Sequence, residues 1–393
     1  MRKTDFLGVA FMKCLELFHK IDELNEKYIK MWEDVCNIES PTILKEGVDA
    51  VGDYFIKKAT EFGWKIEVLE LETAGNAICI TMNPESTKES VVFSGHIDTV
   101  HPVGLFGYPP VKFDETNIYG PGVTDCKGGV VASFMAMEAL MQCGFTDRPV
   151  KLVIQTDEET SSKTSGKKTI EFMCNHAKGA VAFLNTEYAV GDTAVLIRKG
   201  IVRHKLFVHG VAAHSSRCTE GKSAIAEAAH KILKLEELKD DNGLTCSCGV
   251  IQGGTVANTV PAECSFITDI RFGNKEEYNK AMALLKEVAE TSYIGGCTCD
   301  IEEISYRPAM PLTETNLKFL EVMNRIYEEN GLPRLEVKAS RSGSDAAYIT
   351  EIDVPCVDDV GVEGGDIHSV REFARITSLA ESAKKQAAIA FCI

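Results

Sequence analysis

Four short stretches of the 393-residue chain carry groups able to hold a metal ion or move a proton, and each comes after or near an apolar run. Residues 91–100, VVFSGHIDTV, reach a glycine and then His96-Ile97-Asp98. An imidazole can ligate a metal through one ring nitrogen while a nearby carboxylate fixes the ring through the other. Alone, a His-x-Asp after a strand says little. Asp125 lies in the glycine-rich segment 120–129, GPGVTDCKGG. That segment fits neither G-x-x-x-x-G-K-[ST] nor G-x-G-x-x-G, so a phosphate cradle does not apply. It reads instead as a tight loop whose glycines let the backbone approach something small while Asp125 points at it. The run 150–155 leads into Thr156-Asp157-Glu158-Glu159-Thr160, and 180–184 leads into Asn185-Thr186-Glu187. Solvated carboxylates at a helix start explain any one of these. All of them together form a pattern, because open α/β sheets place their sites beyond the carboxyl ends of the strands.

The runs that deliver these groups are short, continuous and apolar, as buried strands of an α/β sheet are. Around them, residues 6–20, 22–36 and 45–62 read as helices, the last closed by Gly63. Residues 64–71 and 76–82 read as further strands, 101–110 as a Pro- and Gly-rich loop, and 130–141 as an apolar helix. The character changes near 199. Strands over 199–208, 245–252, 262–272 and 300–307 alternate with helices over 223–238 and 275–291, in the split βαβ, ferredoxin-like order. From about 309 the α/β pattern resumes with a helix over 314–330 and the loop Arg341-Ser342-Gly343-Ser344-Asp345. A helix over 346–351, a strand over 354–360, the loop 364–369 and a last helix over 376–391 complete it. The expected fold is α/β, a mixed sheet flanked by helices. It is built from 1–198 and 309–393, with a ferredoxin-like α+β domain inserted over 199–308.

A net charge of −16 argues against nucleic acid or an anionic membrane surface as partner. The fourteen cysteines are scattered, and a chain of this size does not need disulfide staples. Cys246/Cys248 and Cys297/Cys299 read as half-buried thiols of a reducing compartment; a zinc knuckle has the spacing C-x-x-C. The N-terminal MRKTDFLGVAFMK is interrupted by Asp5 and Lys13, unlike a secretory signal, and no run of about 18 apolar residues is present. A cytoplasmic protein without a membrane span is expected.

Taken in order, SGHIDTV, GPGVTDCKGG, TDEET, NTE, VAAHSS, GGTVANTVPAE, SGSDAAY and GDIHS resemble the motifs of the M20 family of zinc-dependent peptidases and deacylases. The resemblance covers nearly the whole chain. It implies a zinc-peptidase-like catalytic domain and two Zn2+ per subunit, with Co2+ or Mn2+ as possible replacements. His96 and Glu187 would hold one ion, Glu159 and His368 the other, and Asp125 would bridge them. Imidazole and carboxylate suit zinc, and three ligand charges plus a hydroxide balance two dications. The resemblance makes Glu158 the general base and Asp98 the residue that orients His96. It implies a cis Asp125–Cys126 peptide, and Cys126 departs from the Met often found at that position.

The inserted domain resembles the family's lid and dimerisation domain, which implies a homodimer. His214 matches a histidine that stabilises the oxyanion in the neighbouring subunit's site. Arg271 and Asn258 match positions that grip a substrate carboxylate, and Gly343 and Ser344 match a loop that contacts substrate. His101, His176, His204, His209 and His230 have no match and read as structural. The implied substrate is a small peptide with a free carboxylate, cleaved by a dipeptidase or carboxypeptidase, or else an N-acyl amino acid. A non-catalytic metal-dependent binding protein would be marked by loss of the base, yet Glu158 is present.

Overall fold

The computed structural model describes residues 3–240 and 243–393, with side chains in the first helix from residue 14 onward. The basic and apolar stretch 1–13 therefore lies outside the described side chains. The chain forms two compact units. One is Met1–Leu196, Leu312–Ala339 and Tyr348–Ile393; the other is Ile197–Pro311 with Ser340–Ala347. Residues 341–345, which the sequence pattern keeps with the α/β part, cluster with the smaller unit.

The larger unit is built on a six-stranded mixed sheet. Its strands are β1 (Lys65–Leu69), β2 (Ala77–Met82), β3 (Val91–His96), β4 (Val150–Gln155), β5 (Ala182–Asn185) and β6 (Cys356–Val357). Their order is β1-β2-β4-β3-β5-β6. The pairs β1/β2 and β2/β4 are antiparallel; β4/β3, β3/β5 and β5/β6 are parallel. Every residue of β2, β3 and β5 is buried, the condition of strands covered on both faces, which explains their largely apolar character. The helices are α1 (Lys3–Asn37), α2 (Lys45–Glu61), α3 (Lys127–Gln142), α4 (Lys168–Ala177), α5 (Glu314–Glu329) and α6 (Ser378–Cys392). Within the unit α1, α3 and α6 pack on one another, α3 also lies against β3, and α4 lies against β2 and β4.

Of the differences from the sequence expectation, which include the unforeseen strand pair Thr193–Arg198 and Glu336–Ser340, three bear on the core and the site. The expected helices over 6–20 and 22–36 are one, α1. No Gly or Pro interrupts residues 14–37, and Leu17, Ile21, Leu24, Tyr28, Trp32 and Val35 form one buried stripe at helical spacing. Helix α3 begins at Lys127, so Gly128 and Gly129 belong to its first turn. The strand expected over 354–360 shrinks to two residues. Beyond it the Asn185 side-chain amide donates to Asp358 (2.9 Å) and Asp359 turns to φ 59°, which ends the ladder.

The smaller unit is a four-stranded antiparallel sheet in the order Thr245–Gly253, Glu263–Phe272, Gly200–His209, Thr298–Arg307. Gly200–His209 alternates buried and half-buried residues along its length. Helices Ala224–Leu235 and Lys275–Glu290 pack against this sheet, capped by Ser223 and Asn274, whose side chains accept the amides of Ala226 and Glu277. The two helices are tied by Lys231, whose Nζ donates to the carbonyls of Val288 (2.6 Å) and Thr291 (2.6 Å) and pairs with Glu227 (2.9 Å). Element order and strand order are those of a ferredoxin-like domain.

Candidate metal centre

Parallel pairing puts the carboxyl ends of β3, β4 and β5 along one edge of the sheet. In register, His96 stands opposite Gln155, and Ser94 opposite Asn185. His96 is the last residue of β3; the 3₁₀ turn Glu158–Thr160 follows β4, and Glu187 follows β5 by two residues. Asp125 comes from the loop entering α3, with Cys126 as the helix N-cap residue. Gly129 permits this approach, since a Cβ there would lie 2.0 Å from the Thr186 carbonyl oxygen. The glycines of this segment thus admit the protein's own backbone. His368 comes from the loop between the short strands Gly364–Gly365 and Phe373–Arg375, the latter pairing with Asn117–Tyr119.

These five side chains converge within the larger unit. His96 Nε2 lies 3.1 Å from Asp125 Oδ1 and 3.7 Å from Glu187 Oε1. His368 Nε2 lies 3.3 Å from Asp125 Oδ2 and 3.2 Å from Glu159 Oε2. Donor atoms of His96, Asp125 and Glu159 fall within 4.8 Å of one another, as do those of His96, Cys126 and Glu187. His96, Asp125 and Glu187 are buried and the Glu159 side chain is nearly so, whereas His368 is half exposed (52%). Burial and neighbouring carboxylates push Glu187 well above the usual carboxylate range and Glu159 up to about 7. Hydrogen bonds to Asp125 and Glu159 raise His368 to about 10. At Asp125 burial acts upward, and the hydrogen bonds from His368 and His96 outweigh it, holding its carboxyl low. A buried cluster richer in carboxylates than in cations calls for positive charge, and its mix of imidazole and carboxylate fits divalent ions of the zinc class.

The supporting contacts extend beyond the residues read from the sequence. His96 Nδ1 is 3.0 Å from the backbone carbonyl of Asp98 and 3.4 Å from its Oδ1. The Asp98 carboxylate accepts the amides of Glu158 and Glu159 (both 3.2 Å) and the Thr42 hydroxyl (2.7 Å). Asp98 thus holds the Glu158–Glu159 turn as well as the ring. Glu372, absent from the sequence reading, is buried; its Oε1 accepts the amides of Thr124 (3.0 Å) and Asp125 (3.1 Å). Its Oε2 lies 2.7 Å from His101 Nε2, so His101, read as structural, belongs to the frame of the centre. The only hint in the chain is that Glu372 follows His368 by four residues. The Asp125–Cys126 peptide is cis, and the Cys126 thiol donates to the Thr186 carbonyl (3.1 Å).

The other residues singled out lie in the smaller unit. His214 and Asn258 are brought together: Ala213–His214 pairs with Thr259–Val260, and the Ser215 amide donates to the Asn258 carbonyl (2.9 Å). Both residues are exposed, and His214 Nδ1 is 2.8 Å from the Ser216 hydroxyl. Arg271 donates from Nε (2.6 Å) and Nη2 (3.3 Å) to Asp269, which also accepts from Arg203 Nε (2.7 Å). Gly343 abuts Arg307, where a Cβ would come 2.7 Å from Cδ, and Ser344 is buried with its hydroxyl accepting the Ala346 amide.

The chain matches the model of the peptidase family M20/M25/M40 over residues 92–391. It is 25% identical to carboxypeptidase G2 of Pseudomonas sp. (strain RS-16) over 370 residues, 92% of this chain and 88% of that protein. It is 23% identical to succinyl-diaminopimelate desuccinylase of Wolbachia pipientis wMel, over 74% of this chain and 75% of that one. Its fold is shared with aminopeptidase PepT from Bacillus cereus, at a TM-score of 0.77 and 23% identity, covering 93% of this chain and 98% of that one.

Proposed function

The chain belongs to peptidase family M20/M25/M40, and from that premise we propose that it is a co-catalytic metallohydrolase of small peptides carrying a free carboxylate. The action is of dipeptidase or carboxypeptidase type. The observation that carries this reading is the division of Asp125. One carboxylate oxygen faces His96 and the other faces His368, and each imidazole has a further carboxylate of its own, Glu187 or Glu159. Two donor sets sharing one carboxylate suit a pair of zinc ions, with cobalt or manganese compatible with the same donors. Bound there, such ions supply Lewis acidity toward the scissile carbonyl and make a water ionisable near neutrality.

Glu158 acts as the base: its carboxylate takes a proton from the attacking water and returns it to the leaving amide nitrogen. Its place at the head of the turn, with its amide donated to Asp98, supports that role. In the smaller unit His214 serves as an oxyanion donor to the centre of a second copy in a homodimer. Arg271 and Asn258 take the substrate carboxylate, and Gly343 and Ser344 line its path. The ribbon that places Asn258 beside His214 supports a shared task for those two. The desuccinylase relative favours N-acyl amino acid deacylation as the second reading.

Metal content and hydrolysis of a dipeptide and N-acetyl amino acid panel test the proposal together. Glu158→Gln retains the metal of the parent protein while hydrolysis falls by about 100-fold or more. Undiminished hydrolysis in that variant removes Glu158 from the mechanism, and full activity after metal removal removes the metals.

A further inference from the structure

The ends of the chain bring two thiols into contact. Cys14 on α1 and Cys392, the last residue of α6, place their sulfurs 3.3 Å apart although 378 residues separate them in sequence. The helices that carry them pack on each other within the larger unit, so the pair is held by two long elements. Cys14 is buried (1% exposed), while Cys392 is partly exposed. Cys14 and Cys392 are both free thiols. A disulfide bond is about 2.05 Å long, so closing this pair needs an approach of only about 1 Å. The hydrogen bond between the two sulfurs holds the Cys392 thiol below its ordinary range. The same bond, with burial, holds Cys14 above it. Cys392, the partly exposed member, is the one that a soluble co-substrate can reach, and so the attacking thiol of the pair.

The geometry points to Cys14 and Cys392 as a reversible oxidation site whose co-substrate is a small soluble disulfide of the glutathione type, and whose product staples α1 to α6. The Cys392 thiolate attacks one sulfur of the small disulfide, forming a mixed disulfide and releasing one thiolate. Cys14, deprotonated, then attacks the Cys392 sulfur; the internal disulfide forms and the second small thiol leaves. The protein loses two protons and two electrons, and the small disulfide gains them. The linkage joins residues 378 positions apart, and a crosslink that closes so long a loop restricts the unfolded state most. Cys246 and Cys248, also mutually hydrogen-bonded, are two residues apart and would close no such loop.

The full-length protein is incubated with oxidised glutathione, alkylated and digested without reduction. The expected product is a peptide pair linked through Cys14 and Cys392, reversed by dithiothreitol, with the Tm of the oxidised protein raised by roughly 3 °C or more. Cys14→Ala should stall at a glutathione adduct on Cys392, and Cys392→Ser should yield neither adduct nor link at Cys14. Four outcomes overturn the proposal. They are Cys392 remaining fully alkylatable, a stable adduct on Cys392 of the parent protein with no link, linkage between other cysteines, or a Cys14–Cys392 link that leaves the Tm unchanged.

Discussion

Asp125 is fixed from both of its sides. Its carboxylate is shared by two imidazoles, and its backbone amide is bound by Glu372, which also holds the Thr124 amide. Because Glu372 follows His368 by four residues, one buried carboxylate ties the loop that carries Asp125 to the loop that carries His368. Glu372→Gln replaces one acceptor by an amide and weakens the grip on both amides and on His101. The expected result is metal affinity lowered by about tenfold or more with the fold retained, read by chelator competition and circular dichroism. Unchanged affinity would show that the two loops hold their places without this carboxylate. The Asp98 carboxylate serves the other side in the same way, holding the amides of the Glu158–Glu159 turn.

Among the elements, α3 is the one whose placement decides the centre. It carries Asp125 at its entry and meets the β5 turn at closest approach through Gly129. Gly129→Ala would place a methyl group against the Thr186 carbonyl, and a destabilisation of about 3 kcal/mol or more is expected in urea unfolding. Gly249→Ala is the contrast. It lies on an exposed stretch with no atom within 4 Å of the added Cβ, so its effect should stay within about 0.5 kcal/mol. In the smaller unit the two helices depend on Lys231. Lys231→Met leaves Glu227 buried without its cation and should cost about 3–5 kcal/mol.

The same pair gives the pH response of that unit a sign. At Glu227 burial acts upward, but Lys231 and the amides of Ile294 and Tyr293 outweigh it and hold the carboxyl below its ordinary 4.5. A depressed folded value contributes stability that is fully present above the ordinary value and lost as pH falls through the folded one. As pH falls below the ordinary carboxylate value of 4.5, acid unfolding of the parent protein should therefore be steeper than that of Glu227→Gln. An equal slope would assign acid unfolding to other carboxylates.

At the scale of the whole molecule, the two units divide the work proposed for them. The larger holds every candidate metal ligand, and the smaller holds His214, Asn258, Arg271, Gly343 and Ser344. If His214 serves a second copy, activity per chain should fall on dilution below the dimer dissociation constant. Mixing His214→Ala with Glu158→Gln should then restore part of the parent rate, because a mixed dimer holds one intact pairing. Full activity in a strictly monomeric preparation would remove His214 from the mechanism. Among the described residues no helix is long and apolar enough to cross a membrane.

The chain by itself determined the groups within reach of local pattern. Apolar runs with acids or His96 beyond their ends imply parallel strands, and parallel strands deliver those ends to one edge. The alternation in 200–209 and the helical stripes of the smaller unit likewise follow from neighbours a few residues apart. The continuity of α1 was open to a longer reading of its stripe, whereas packing alone decided that Gly129 faces the Thr186 backbone. It also decided that Asp98 binds the turn of its neighbouring strand, that Glu372 reaches Asp125 across 247 residues, and that Cys14 meets Cys392. Periodicity records which face of an element is buried; it carries no address for the partner across the interface. Contacts between distant loops are set by how the helices settle on the sheet, and that is a property of the folded core.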